Sequence, residues 1–305
     1  MGKAANTGGL VGICPHGDGA LVLGLSSATD APMVRLVDVL PLDRADPEAL
    51  RKAIRDKGLR SARFALLLGA SDYQLLQADA PAVEEGELRE ALRWSIKDSV
   101  SFSVEQASID FIELPTRGSA AGRSRQLLVA AASHTSLRPW VEFFQDAGLD
   151  LAVIDVPELA LRNLAVRFES GKRGFLFLNF DDEGGLLTFV HDGELLNWRR
   201  LETTLPMIAE ITPDRREGLF DRIALELQRS VDNFERQSGG INIGRLALLQ
   251  SDGLDGLIAH LEGNLSLPVE AVELSSVIGF DAKLPAGVQP AHLATLCGLA
   301  LRAET

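Results

Sequence analysis

The densest group of side chains that could do chemistry is the carboxylate run Asp181-Asp182-Glu183, which Gly184 and Gly185 follow. Carboxylate oxygens are the hard ligands that Mg²⁺ prefers, and glycines let backbone N–H groups approach a phosphate closely. The run therefore has the residue types of a magnesium and phosphate site. An exposed acidic turn is the commoner origin of such a run, and we favour that interpretation.

Other chemical signatures in the sequence are weak. Gly171-Lys172-Arg173-Gly174 lacks the spacing of a P-loop, and Gly17-x-Gly19 lacks the third glycine of a dinucleotide fingerprint. The histidines are scattered, with no second His or Cys at ligand spacing. They are His16, His134, His191, His260 and His292. We expect structural or surface roles for them, and we name no metal site and no catalytic residue.

Composition narrows the class of protein. The chain has 305 residues, of which 46% are apolar, so it can bury a sizeable core. Its net charge of −13 repels nucleic acid and anionic lipid and favours a basic partner. Cys14 and Cys297 are too few for a disulfide framework, which indicates reduced thiols in a reducing compartment. No apolar run is long enough to cross a bilayer and no signal sequence is recognisable, so we expect a cytoplasmic protein.

The same order of elements occurs twice along the chain. In the first half three strands precede a helix at 47–57, for which Asp46 is the predicted N-cap and Pro47 the first helical residue, and a buried strand begins at Ala62. In the second half three strands, two of them joined by an Asp192-Gly193 turn, precede a long helix at 217–237 and another strand. Its buried stripe is predicted to be Phe220, Ile223, Leu227, Val231 and Phe234.

This repetition predicts an internally duplicated α/β protein with two lobes and a cleft between them. We place the first lobe at residues 1–170 and the second at residues 171–305. An insert at about 71–155 within the first lobe is long enough to be a subdomain. Its predicted helix at 84–100 has one apolar stripe, Leu88, Leu92, Ile96 and Val100, and Trp94 falls off that stripe. The polar segment 116–125 is predicted to be a solvated loop.

Two groups of sequence words resemble the type IV pilus assembly protein PilM family, and the relative MshI of the MSHA pilus system is the nearer likeness. The first group is LELQRSVDNFERQ, RLALLQ, SDGLDG, PVEAVEL and ATLCGLALR in the last third of the chain. The second is SDYQLLQADAPAVEEGELREALRWSIKDSVSFSVEQASIDFIELP and LRPWVEFFQDAGLDLAVIDVPELALRNLA in and after the insert. The resemblance implies a duplicated actin-like, ribonuclease H-like fold.

It also implies a cleft in which two hairpins and a third turn would hold ATP and Mg²⁺. The residues at these places are Gly12, His16, Gly17, Asn179, Asp181, Ser251 and Gly253. Cys14 and Asn179 stand where the family has magnesium-orienting aspartates, and Gln250-Ser251 replaces a glycine pair. Since all three elements depart from the family pattern together, we expect no hydrolysis and no cofactor. ATP with Mg²⁺, reached through Arg229 or Lys172, is the alternative.

The resemblance further implies a cytoplasmic scaffold that binds the cytosolic N-terminal segment of a PilN-like bitopic membrane protein and so lies at the inner membrane, together with other platform proteins. In such proteins the peptide is held near the insert, so Trp94, Lys97 and Asp98 are candidate contacts, with burial of Trp94 against the insert as the alternative. A type II secretion component like GspL, or a filament former like FtsA, is a further alternative. No amphipathic tail follows Arg302, which argues against both. Self-association is left open.

Overall fold

A computed structural model describes residues 10–26, 31–114, 125–237 and 241–302. The segment 116–124 of the predicted loop lies outside the described residues. The elements of the first half are β1 (Val11–His16), β2 (Gly19–Leu25), β3 (Met33–Pro41), α1 (Pro47–Asp56), β4 (Arg63–Leu67), β5 (Gln74–Asp79), α2 (Leu88–Ser95), β6 (Ala107–Leu114), β7 (Gln126–Ser133), α3 (His134–Asp146), β8 (Asp150–Asp155) and α4 (Pro157–Ala165).

The second half begins directly after a short 3₁₀ turn, Val166–Phe168. Its elements are β9 (Gly174–Asp181), β10 (Gly184–His191), β11 (Glu194–Leu201), α5 (Leu205–Ala209), α6 (Pro213–Gln237), β12 (Ile243–Leu249), α7 (Leu257–Asn264), β13 (Val269–Val272), β14 (Gly279–Phe280) and α8 (Pro290–Ala300).

The two halves build sheets of the same topology. The first sheet has the order β14-β3-β2-β1-β4-β8 and the second the order β11-β10-β9-β12-β13. In each, the three strands that open the half are antiparallel, and the two later strands run parallel to the first of them. This repeat confirms the predicted duplicated α/β fold.

Local sequence signals account for several of these elements. The Asp46 side chain accepts a hydrogen bond from the Ala49 N–H at 3.2 Å, as an N-cap should. Asp192 and Gly193 both have positive φ, +51° and +78°, which suits the tight turn between β10 and β11. The apolar stripe of α6 is buried at all its predicted positions, although the helix begins at Pro213 rather than at residue 217.

The predicted helix at 84–100 is wrong in length. A 3₁₀ turn occupies Glu85–Glu87, and the α-helix ends at Ser95. The Ser95 hydroxyl donates to the Leu92 carbonyl at 2.8 Å, the kind of local side-chain bond that competes with helix continuation. Leu88, Leu92 and Ile96 are nevertheless buried, whereas Val100, the fourth predicted position, lies beyond the helix and is half-buried.

The insert has its own small sheet, in the order β5-β7-β6, which α2 covers on one face. Two elements that follow this sheet in the chain pack elsewhere. Helix α3 buries Trp140, Phe143 and Phe144 in a core that it shares with α1 and β4. Strand β8 pairs with β4 in the first-lobe sheet.

The end of the chain completes the first lobe. Strand β14 pairs in parallel with β3. Helix α8 packs on α4 so closely that a Cβ at Gly298 would lie 1.8 Å from the Ala160 carbonyl oxygen. The core between these helices includes Leu21, Leu23, Leu293 and Cys297, so both halves contribute to it. None of the described helices combines the length and apolar character needed to span a membrane.

Candidate functional site

Two hairpin turns face each other across a cleft between the lobes. The turn from β1 to β2 brings Cys14, Pro15, His16 and Gly17, and the turn from β9 to β10 brings residues 181–185. Together with residues that include Gly69, Arg200 and His292, they line a cavity of about 280 Å³, which we call the cleft.

The second-lobe side of the cleft is acidic. Burial raises the pKa of Asp181 to about 6, although the Glu183 N–H donates to its Oδ1 at 2.9 Å. Glu183 reaches the other lobe, where its Oε2 accepts the Ala70 N–H at 3.3 Å. The Glu183 carboxylate thus accepts a hydrogen bond from a backbone N–H in the cleft, as a bound anion would.

Two imidazoles occupy the first-lobe side. The ring centroids of His16 and His292 are 4.9 Å apart. The Gln289 N–H donates to Nδ1 of His292 at 3.1 Å, so the neutral ring carries its proton on Nε2, which lies 3.3 Å from Oδ1 of Asp182. Burial, and then the neighbouring His292, lower the pKa of His16. The two rings therefore fill space beside the acidic turn.

The residues of the cleft do not fit a magnesium triphosphate. Burial raises the pKa of the Cys14 thiol to about 12, so it is neutral at pH 7 and cannot replace a magnesium-orienting carboxylate. Pro15 has no N–H to donate. Asp182 and Glu183, which line the same cavity, would repel a polyphosphate.

A second cavity, of about 650 Å³, lies at the turn that follows β12. Ser251 and Gly253 line it, and the Ser251 hydroxyl donates to the Gln289 side chain at 2.9 Å. Gly253 has φ +93°, and a Cβ there would approach Cβ of Ala209 to 2.5 Å, so this turn requires glycine.

The residues predicted for a degenerate nucleotide site are therefore divided. His16, Gly17 and Asp181 meet in the cleft, and Ser251 and Gly253 lie at the second cavity. Two others line neither cavity and instead support α8. Gly12 packs against Leu296, and Asn179 donates from Nδ2 to the Ala291 carbonyl at 3.2 Å.

Sequence reasoning missed a buried polar triad beside the cleft. Glu158 on α4 accepts from the Tyr73 hydroxyl at 2.5 Å and from Nε of Arg200 on β11 at 2.9 Å. Nη2 of Arg200 also donates to the Tyr73 oxygen at 2.6 Å. Burial raises the pKa of Tyr73, which keeps the phenol protonated as a donor. The triad joins the entry of the insert, α4 and the second lobe, and no local motif marks it.

The candidate contacts of the insert lie together on its surface. Trp94, Lys97 and Asp98 are exposed at and just after the end of α2. Trp94 is 49% exposed and its Nε1 donates to Oε1 of Glu90 at 3.1 Å, so the alternative of a buried Trp94 is wrong.

A separate groove runs between the insert sheet and α3, and we call it the insert groove. Its volume is about 610 Å³, and its lining includes Ile109, Ala131, Leu137, Val141 and Val156. The charges along it are partly paired, because Nη2 of Arg89 lies 2.9 Å from Oδ1 of Asp110. Trp94, Lys97 and Asp98 do not line it.

Within the described ranges one group of three side chains has metal-ligand spacing, namely Glu169, His191 and Asp192. No sequence motif marks this group, because Glu169 is remote from the other two residues. Glu169 already accepts the Asp192 N–H at 2.6 Å and the Gly193 N–H at 2.8 Å, so its carboxylate caps the hairpin turn.

The duplicated sheets and the cleft between them define an actin-like fold. The solved PilM-PilN type IV pilus biogenesis complex matches with a TM-score of 0.70 at 22% identity, over 96% of this chain and 97% of that one. The cytoplasmic domain of EpsL, an inner-membrane component of the type II secretion system of Vibrio cholerae, matches with a TM-score of 0.51 at 14% identity, over 97% and 96%. A Bacteroides thetaiotaomicron protein with an actin-like ATPase fold also matches with a TM-score of 0.51, at 10% identity over 90% and 93%.

One stretch of the chain carries a family signature. Residues 44–171 match the family model described as type IV pilus assembly protein PilM. This stretch holds the whole insert groove, whose lining runs from Leu68 to Val156, whereas the acidic turn of the cleft and the second cavity lie outside it. Comparison of the sequence with curated proteins gave no match.

Proposed function

We propose that this protein is a scaffold of a type IV pilus assembly platform, MSHA-like and related to MshI, which holds the cytosolic N-terminal segment of a PilN-like membrane protein in the insert groove. The observation that carries the proposal is that the PilM family match coincides with the part of the chain that forms this groove. The groove, and not the cleft, is then the working site of the protein. Its place would be the cytoplasmic side of the inner membrane, where the partner holds it.

The chemistry of the groove suits a peptide with apolar anchors. Leu137 and Val141 are four residues apart on α3, which places them on one helix face, and both are half-buried. Small residues of β7 form the facing wall, including Ala130 and Ala131. Apolar side chains of a docked segment would gain about 25 cal/mol per Å² of surface removed from water.

Charge contributes a smaller part at the groove itself. Besides the Arg89 and Asp110 pair, its lining has Arg138 and His134 on α3, so it is not an acidic trough. The excess negative charge of the whole chain would act at longer range and accelerate the approach of a basic segment.

The proposal is tested by calorimetric titration of the full chain with the N-terminal peptide of the PilN-like protein from the same organism. We expect saturable binding that Val141→Arg weakens at least about tenfold, because it places a charge in the apolar groove. Gln145→Arg is the matched control, since Gln145 is exposed one turn further along α3 and does not line the groove.

Trp94→Ala adds a test of the predicted surface contacts. If it abolishes binding while Val141→Arg has no effect, the segment docks on the outer face of the insert and the groove assignment fails. Absence of binding to the unaltered chain would refute the scaffold function itself.

A cytosolic role in a type II secretion platform is the second candidate, favoured by the similarity to the EpsL domain over nearly the full length of both chains. The same titration with the matching secretion-system segment distinguishes the two.

A further inference from the structure

Three arginines line a polar groove between the insert and the second lobe, and we call it the arginine groove. Arg199 lies on β11, and Arg229 and Arg236 lie on α6. The groove has a volume of about 610 Å³ and is lined also by Asn197 and Ser230. It shares no lining residue with the cleft or with the insert groove.

The three arginines of this groove have no ion pair with a described carboxylate. Among the described residues, neither Arg199 nor Arg229 has a carboxylate at ion-pair distance. Arg236 donates from Nε to the Asp232 backbone carbonyl at 3.2 Å and likewise has no described carboxylate at ion-pair distance. Among the described residues that line the groove, Glu226 is the one with an acidic side chain. The whole chain has a net charge of −13, whereas the charge of this groove is positive.

The arginines are held on elements that give the groove a fixed shape. β11 is an edge strand hydrogen-bonded to β10, and α6 is a 25-residue helix whose opposite face is buried. Arg222, Arg229 and Arg236 follow each other at seven-residue spacing, so they share the exposed face of this helix. Only the last two line the groove, where Arg199 joins them from the neighbouring strand.

The donors in the groove define the ligand. A guanidinium offers a planar fork of N–H groups that matches a carboxylate in bidentate geometry. The volume is many times that of one water molecule, about 30 Å³, so it accommodates several side chains rather than a single small anion. A nucleic acid carries one negative charge per nucleotide, so the net charge of −13 repels it more strongly than a short segment with a few carboxylates. We propose that the arginine groove binds an acidic segment of a partner protein.

The test uses a fluorescein-labelled peptide of alternating Glu and Gly residues, titrated with the full chain and followed by fluorescence anisotropy. We expect saturable binding that weakens as the salt concentration rises. Arg199→Glu or Arg229→Glu should each reduce the affinity for the peptide at least about tenfold. The same peptide with Gln in place of Glu should bind at least about tenfold more weakly.

Arg222→Glu is the matched control, because it makes the same charge change on the same face of α6 outside the groove. It should change the affinity by less than about twofold. Melting followed by circular dichroism checks that each variant is folded. If Arg229→Glu does not fold, Arg229→Gln takes its place in the titration.

Three results would overturn the proposal. One is the absence of a saturable rise in anisotropy when the unaltered chain is titrated to millimolar concentration. Another is an equal loss in Arg222→Glu and Arg229→Glu, which would show unspecific attraction. The last is displacement of the labelled peptide by inorganic phosphate at a concentration no higher than that at which unlabelled peptide displaces it. That result would show a site for a small anion.

Discussion

Replacing Arg200 by methionine should cost this protein about 3 kcal/mol of unfolding free energy. The side chain of Glu158 is 2% exposed, and its charge is balanced by Arg200 at 2.9 Å. Methionine keeps the apolar stem but leaves a buried carboxylate whose remaining partner in the triad is the Tyr73 hydroxyl. Breaking a buried pair in this way costs about 3–5 kcal/mol, and the lower end applies because Arg200 itself is one-third exposed.

The assay is urea denaturation at pH 7 for four proteins: the unaltered chain, Arg200→Met, Glu158→Gln and the double variant. Gln at 158 removes the stranded charge, so the double variant should be more stable than Arg200→Met alone. A loss of about 3 kcal/mol lowers the ratio of folded to unfolded protein by about two orders of magnitude.

Two results would refute the reasoning. One is a loss below about 1 kcal/mol for Arg200→Met at pH 7. The other is a double variant that is no more stable than Arg200→Met alone.

Three further predictions concern the helix contact, the acidic turn and nucleotide. Gly298→Ala should destabilise the protein by about 3 kcal/mol or more, because the new Cβ would lie 1.8 Å from the Ala160 carbonyl oxygen. Gly263→Ala, whose Cβ would meet nothing within 4 Å, should stabilise it by up to about 1 kcal/mol. Thermal melting of the two variants tests this difference. The pKa of Asp181 is raised to about 6, so the free energy of unfolding should fall as the pH rises from about 4 to 6, and Asp181→Asn should flatten this decline in urea denaturation. Calorimetric titration with Mg-ATP should give no heat of binding at millimolar nucleotide, and micromolar binding that Asp181→Asn abolishes would contradict our interpretation of the cleft.

Features set by neighbouring residues could be predicted from the sequence. The Asp46 N-cap and the Asp192-Gly193 turn depend on side chains within a few positions of one another. The stripe of α6 depends only on the helical period. The same period places Trp94 off the buried face of α2, and its exposure agrees with the period rather than with the alternative of burial.

Features set by distant residues could not be predicted. Tyr73 and Arg200 meet Glu158 from 85 and 42 positions away, and no periodicity links them. His292 joins His16 in the cleft because α8 returns to the first lobe. The two-residue strand β14 is too short to give an alternating pattern.

The sequence predicted which turns form the candidate site, but not the contacts that their side chains make. The resemblance brought His16, Gly17 and Asp181 to one place, and the structure puts them around one cavity. It did not show that Glu183 takes a backbone N–H from the opposite lobe. The insert groove was missed because its lining residues belong to several elements between residues 68 and 156, and no periodicity links them.

The return of α8 and β14 to the first lobe bears on how the protein is made. Strand β2 emerges from the ribosome early, yet its core partners Leu293, Leu296 and Leu299 are among the last described residues to be synthesised. Until then α4 covers this face of the first sheet without its partner α8, so the core of the lobe is incomplete. A message truncated after β13 would release a chain with that core incomplete, a species that aggregates or is degraded. The first lobe therefore completes its core only after α8 has been synthesised.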